Sequence, residues 1–106
     1  IKMMDKYKQT FMQCDLVRTY DFQYFYIDMP GFDIADIKVK IDDNYLNVYG
    51  KRRRQYDEMD IMNISERVFG EFHRSFFVGD INKKLITAKM DNGVLIIKMP
   101  IIHELN

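Results

Sequence analysis

The chain has 106 residues and balances 16 Lys and Arg against 16 Asp and Glu. It is therefore sized for one domain, and its zero net charge removes the global electrostatic case for nucleic acid or an anionic membrane. The single cysteine, Cys14, excludes an internal disulfide framework and fits a reducing compartment, so a cytoplasmic location is expected. No apolar run reaches the roughly 18 residues of a membrane span, so no stable membrane insertion is expected, and no signal-peptide pattern is present.

Residues 1–10 are rich in Lys and Met without a clear period and read as an N-terminal lead-in. A weak strand candidate covers Phe11 to Val17. A stronger one covers Phe22 to Met29, with Phe25, Ile27 and Met29 on one face and Tyr24, Tyr26 and Asp28 on the other. Pro30-Gly31 marks a turn, and Asp33 is placed to cap a single turn of helix before Asp36. Ile37 to Ile41 alternates apolar and basic residues, as a half-exposed strand does, and its lysines suit a sheet edge that must not aggregate. Asp42-Asp43-Asn44 turns the chain into Tyr45 to Lys51, so the two strands read as a hairpin.

From Lys51 to Asn63 the sequence turns charged and aperiodic, basic through Arg54 and then acidic at Asp57, Glu58 and Asp60. A loop of this length in a compact domain is often functional. Ile61, Met62 and Ile64 within it are expected to form a short protruding strand. Glu71 to Val78 alternates again, with Arg74 between Phe72 and Phe76 on one face. An unpaired buried charge is expensive, so Arg74 is expected to meet a carboxylate or an interface.

Ile81 to Leu85 is a connector. The segment from Ile86 to Met90 and the apolar run Val94 to Met99 flank Asp91-Asn92-Gly93, strong hairpin chemistry, and Pro100 ends the second strand. Cover for that apolar strand is expected from Phe25, Ile27, Leu46 and Val48. No helical period of useful length occurs. The pattern predicts an all-β antiparallel β-sandwich of seven to eight strands with a protruding strand-bearing loop.

Signals for catalysis are poor, and no enzyme activity, cofactor or metal is expected. His73 and Ser75 share a strand face and could pair as base and nucleophile, but coincidence on an alternating strand is the better account. His73, His103 and Cys14 have no metal-ligand spacing. The Lys51–Arg54 run could hold phosphates. A solvated strand end, partly neutralised by the acidic residues that follow, is the plainer reading, because one short patch releases few counterions. Ile37, Val39 and Ile41 form an apolar stripe on an expected edge strand. With Leu85, Thr87 and Lys89 they would border a slot for an extended peptide if the two strands flank one opening.

Several motifs occur in the order found in small heat-shock proteins. They are Asp28-Met29-Pro30-Gly31-Phe32, the Ile37–Ile41 strand, Leu46-Asn47-Val48-Tyr49-Gly50-Lys51-Arg52, Glu66-Arg67 through Phe76, and Ala88 to Leu95 with its Ala-x-x-x-Asn-Gly-Val-Leu pattern. The chain resembles the α-crystallin domain of that family over about residues 11–100, with residues 101–106 starting a C-terminal extension. The resemblance implies an immunoglobulin-like sandwich and an ATP-independent holdase that binds unfolding client proteins and prevents their aggregation. It also implies a homodimer through exchange of the 53–65 loop strand, in the plant and microbial manner, with Ile61, Met62, Asn63, Ile64, Glu66, Arg67 and Arg74 at the interface.

By the same resemblance, Ile37, Val39, Ile41, Leu85, Thr87 and Lys89 line the groove that receives a neighbour's Ile-x-Ile/Val tail. The sequence departs from the family pattern in two places. No Ile-x-Ile or Ile-x-Val follows Pro100, and Val78-Gly79 stands where Leu-Pro is usual. Higher oligomers are therefore expected where full-length flanks are present. The competing expectation is a monomeric co-chaperone-like adaptor docking on a larger chaperone ATPase, against which the long loop argues.

Overall fold

The computed structural model describes residues 12–57 and 59–103. The expected lead-in over 1–10, Phe11 of the first strand candidate, Glu58 of the acidic run and residues 104–106 of the expected extension lie outside them. Seven strands occur among the described residues: β1 (Cys14–Arg18), β2 (Phe22–Asp28), β3 (Ile37–Asp42), β4 (Tyr45–Arg52), β5 (Gly70–Phe77), β6 (Thr87–Asp91) and β7 (Val94–Pro100). They divide between two compact units. The first draws on both ends of the chain and holds an antiparallel sheet in the order β1-β2-β7-β6. The second, Gly31–Val78, holds the antiparallel meander β3-β4-β5.

Alternation in β2 and β7 builds the core of the first unit. Phe25 stands opposite Ile97 and Ile27 opposite Leu95. These four, with Met29 and Met99, are at most 1% exposed. Each such burial contributes roughly 1.5–3 kcal/mol. Phe25 and Ile27 were expected as cover for β7; they are instead its neighbours within one sheet and extend the same buried face.

The β6–β7 turn is a two-residue loop between paired Asp91 and Val94. Asn92 has φ 49° and Gly93 φ 78°, the left-handed pair that matches the twist of the flanking strands. The Gly93 carbonyl accepts the Met29 N–H at 2.8 Å. A Cβ on Gly93 would sit 3.4 Å from Pro30 Cα. Two motifs some sixty residues apart, Met29-Pro30 and Asn92-Gly93, thus meet in one corner.

The second unit is as regular up to Arg52. The Asp33 carboxylate accepts the Ala35 N–H at 3.1 Å and caps a short 3-10 turn, Ile34–Asp36. Asp43 and Asn44 make the β3–β4 turn with φ 49° and 66°, conformations that short polar side chains tolerate. In β4 Leu46, Val48 and Gly50 are buried.

The expected strand at Ile61–Ile64 does not form within the chain. Arg52 pairs with Gly70, so β4 and β5 close on each other and leave 53–69 as an irregular loop. A strand persists only on a ladder, and among the described residues none pairs with this segment.

Candidate functional site

β5 is one edge of the second sheet, and its two faces differ. Phe72, Arg74 and Phe76 form the half-buried row, opposite Gly50, Val48 and Leu46 of β4. Phe72 packs edge-on against Phe32 with centroids 5.6 Å apart. The Arg74 guanidinium lies 4.8 Å from the centre of the Phe76 ring, a contact worth about 0.5–1 kcal/mol at a partly exposed site. On the other face His73 stacks on Tyr49 at 4.4 Å, and its Nε2 lies 3.0 Å from Asn47 Oδ1. Those contacts suit a strand surface rather than a base aimed at Ser75.

The loop 53–69 carries most of the expected dimer residues. Ile61, Met62, Asn63, Ile64, Glu66 and Arg67 are all exposed. Met59 is 86%, Ile61 91% and Ile64 76% accessible, an unusual set of uncovered apolar side chains for one short segment. The loop is nevertheless organised at its base. Tyr56 meets Phe69 edge-on at 6.3 Å, and its hydroxyl lies 3.5 Å from Met62 Sδ. Arg52, Arg54 and Arg67 approach the Phe69 ring at 5.5, 4.9 and 5.0 Å.

Sequence reading missed that gathering, because Arg67 and Phe69 reach the basic run only once β4 pairs with β5. Arg53 behaves differently from its neighbours. It donates twice to Asp36, at 2.7 and 3.0 Å. The Arg53 hydrogen bond holds the Asp36 carboxyl below its ordinary pKa, with the Arg53 and Lys51 charges acting the same way and desolvation opposing them. Arg53 in turn holds its proton more tightly.

The six expected groove residues fall in both units. Ile37, Val39 and Ile41 form the half-buried row of β3, an edge strand of the second unit's sheet, with Lys38 and Lys40 exposed between them. Thr87 and Lys89 lie on β6, an edge strand of the first unit's sheet. They share a face with Tyr24, Tyr26, Ile96 and Lys98, residues that line a shallow cavity of about 360 Å³. Leu85 belongs to a 3-10 turn, Lys83–Leu85, and is exposed.

Missed in the sequence was an anchor beyond Pro100. The Ile101 N–H donates to the Asp21 carbonyl at 2.8 Å, Ile101 bridges Ile81, and His103 stacks on Tyr20 at 4.4 Å. Among the described residues no group of three or more His, Cys, Asp and Glu could hold a metal ion, and no helix is long and apolar enough to cross a membrane.

Comparison with known proteins places these features. The model of the Hsp20/alpha crystallin family matches residues 17–104. A 17.7 kDa class I heat shock protein of Oryza sativa subsp. japonica is 36% identical over 89 residues, which is 81% of this chain and 56% of that protein. Small heat shock protein C2 of Rickettsia felis is 32% identical over 76 residues, 70% of this chain and 49% of that protein. The chain thus spans about half the length of these curated relatives.

Among solved structures, a small heat-shock protein from Xylella fastidiosa with a distinct high order structure is 31% identical. It superposes with a TM-score of 0.77 over 89% of this chain and 88% of that one. Heat shock protein 16.0 from Schizosaccharomyces pombe, at 22% identity, shows likeness of fold alone, with a TM-score of 0.80 over 92% and 93% of the two chains. The all-β class with two antiparallel sheets, expected as a sandwich, is the fold of these proteins.

Proposed function

The chain belongs to the Hsp20/alpha crystallin family, and from that membership we propose that it is an ATP-independent holdase chaperone that binds unfolding proteins. The observation that carries this reading is the uncovered apolar set on the loop, Met59, Ile61 and Ile64. Unfolding chains expose apolar surface and strand edges, and both are captured by an apolar surface beside a free edge. The test is light scattering from a heat-labile enzyme warmed with and without the protein. Scattering should fall to the same extent with or without ATP. Protection that required ATP, or none at any ratio, would overturn the reading.

The same loop supports a homodimer by strand exchange. Residues 61–64 have the composition of a strand and no ladder in their own chain, so a second copy is the natural source of one. β1 is a free edge of the first unit's sheet and carries exposed Leu16 and Val17. It matches the loop in apolar character better than β6, whose exposed residues include Thr87 and Lys89. The acceptor in this proposal is therefore β1 of the second copy, with Glu66, Arg67 and Arg74 at the contact.

Extended apolar peptides, from clients or from a neighbour's tail, are assigned to the edge rows. These are Ile37, Val39 and Ile41 on β3, Leu85 in the 3-10 turn before β6, and Thr87 and Lys89 on β6. Domain limits of about 11–100, a cytoplasmic setting and higher oligomers built through flanking segments belong to the same proposal.

A further inference from the structure

The basic run after β4 is exposed at Lys51, Arg53 and Arg54, and Arg53 is paired with Asp36. Three guanidiniums, from Arg52, Arg54 and Arg67, stand within 5.5 Å of one ring, that of Phe69. Lys51, Arg52, Arg54 and Phe69 are among the residues lining a cavity of about 490 Å³, and Arg67 lines a smaller one of about 110 Å³ that shares Tyr56 and Phe69 with it. A shared anion would offset the mutual repulsion of cationic groups gathered around one ring. Among the described residues none of the three has a carboxylate within 4.0 Å; the ion pairs there are Arg53 with Asp36 and His103 with Asp21.

Asp57 lines the same cavity and accepts the Met59 N–H at 3.0 Å, so one negative charge stands against the cationic Lys51, Arg52 and Arg54. Each guanidinium brings about five N–H donors. The hydrogen bonds these three make are one from Arg52 to the Val68 carbonyl at 3.2 Å and one from Arg67 to Gln55 Oε1 at 3.5 Å. Arg52 Nε is buried and has no partner. Packing against a ring holds a guanidinium in place without consuming its donors.

We propose that Arg54 and Arg67, backed by Arg52 and Lys51 over Phe69, bind a multiply charged oxyanion. Forked N–H donors match the paired oxygens of phosphate and carboxylate alike, and a ligand with several such groups engages more than one arginine. This site does not rest on the holdase reading, and it shares Arg67 with the proposed dimer contact.

Isothermal titration of the chain at low salt tests the proposal, with inorganic tripolyphosphate and citrate as separate titrants. Saturable binding of at least one is expected, and the tighter of the two identifies the group as phosphate or carboxylate. Arg54→Gln and Arg67→Gln should each weaken it on the order of tenfold, as loss of one charge-assisted contact does. Arg54 is exposed and lies outside the proposed dimer contact, so thermal unfolding of the Arg54→Gln chain should stay at the wild-type temperature. Arg54→Lys keeps the charge without the fork and should fall between wild type and Arg54→Gln. The double change Lys38→Gln with Lys40→Gln removes more charge from β3 and should leave binding within about twofold. No saturable heat with either titrant, or an equal loss from the β3 pair, would overturn the proposal.

Discussion

β7 and the loop 53–69 use the same residue types to opposite ends. Ile97 and Met99 are fully buried, whereas Ile61 and Met59 are almost fully exposed. What differs is the backbone. β7 is laddered on both sides, by β2 and β6, so alternation sends its apolar residues to one face. The loop starts and ends on an already closed pair, Arg52 opposite Gly70, so its apolar residues have no face to be sent to. Exposed apolar sequence beside a stable sheet is a binding element in waiting. The stable sheet is what allows it to stay exposed without unfolding the chain.

The largest expected effect separates the two regions by stability. Ile97→Ala should lower unfolding free energy by about 2–5 kcal/mol through the cavity it leaves, read as a shift of the urea midpoint. Ile61→Ala should stay within about 0.5 kcal/mol on a dilute chain. Equal losses at the two positions would end the comparison.

Arg74→Gly comes next. Loss of the Phe76 contact plus a glycine within a strand should cost about 1–2 kcal/mol in dilute urea melts. A cost of about 3–5 kcal/mol, growing with protein concentration, would place Arg74 against a buried partner in the dimer. Gly93→Ala tests the corner that holds the regular region together. Its left-handed φ and the neighbouring Pro30 should make alanine about 1–2 kcal/mol worse in the same assay.

The smallest effect concerns the base of the loop. The Asp36 carboxyl is held below its ordinary value of 3.8, so its pairing with Arg53 stabilises the fold at and above that pH. That contribution is lost as pH falls through the lowered value. Asp36→Asn should therefore separate from wild type in thermal melts near neutrality and converge with it in acid. A gap that widened in acid would reverse the sign.

The regular region was legible residue by residue. Alternation in Phe22–Met29 and Ile37–Ile41, the Asp33 cap, and the Asn-Gly turn each rest on contacts within a few residues, which is the range over which sequence acts directly. Three features were not legible. The strand at Ile61–Ile64 has strand composition, but composition cannot supply a ladder.

The second is the arginine cluster, which depends on β4–β5 pairing to bring Arg67 and Phe69 beside Arg52 and Arg54. The third is the anchor of Ile101 and His103 at Asp21 and Tyr20, which joins residues about eighty positions apart. The residues expected to line the groove divide in their placement. The β3 row lies as read, half-buried on an edge, while Leu85 lies in a 3-10 turn and Thr87 and Lys89 share the Tyr24 and Tyr26 face.

The central claim is that a loop without a ladder in its own chain finds one in a second copy. Deleting Tyr56 to Asn63 and following sedimentation velocity over a range of concentrations tests it most directly. The wild-type chain should sediment as a dimer and the deletion as a folded monomer. A deletion that sediments as the same dimer would contradict it.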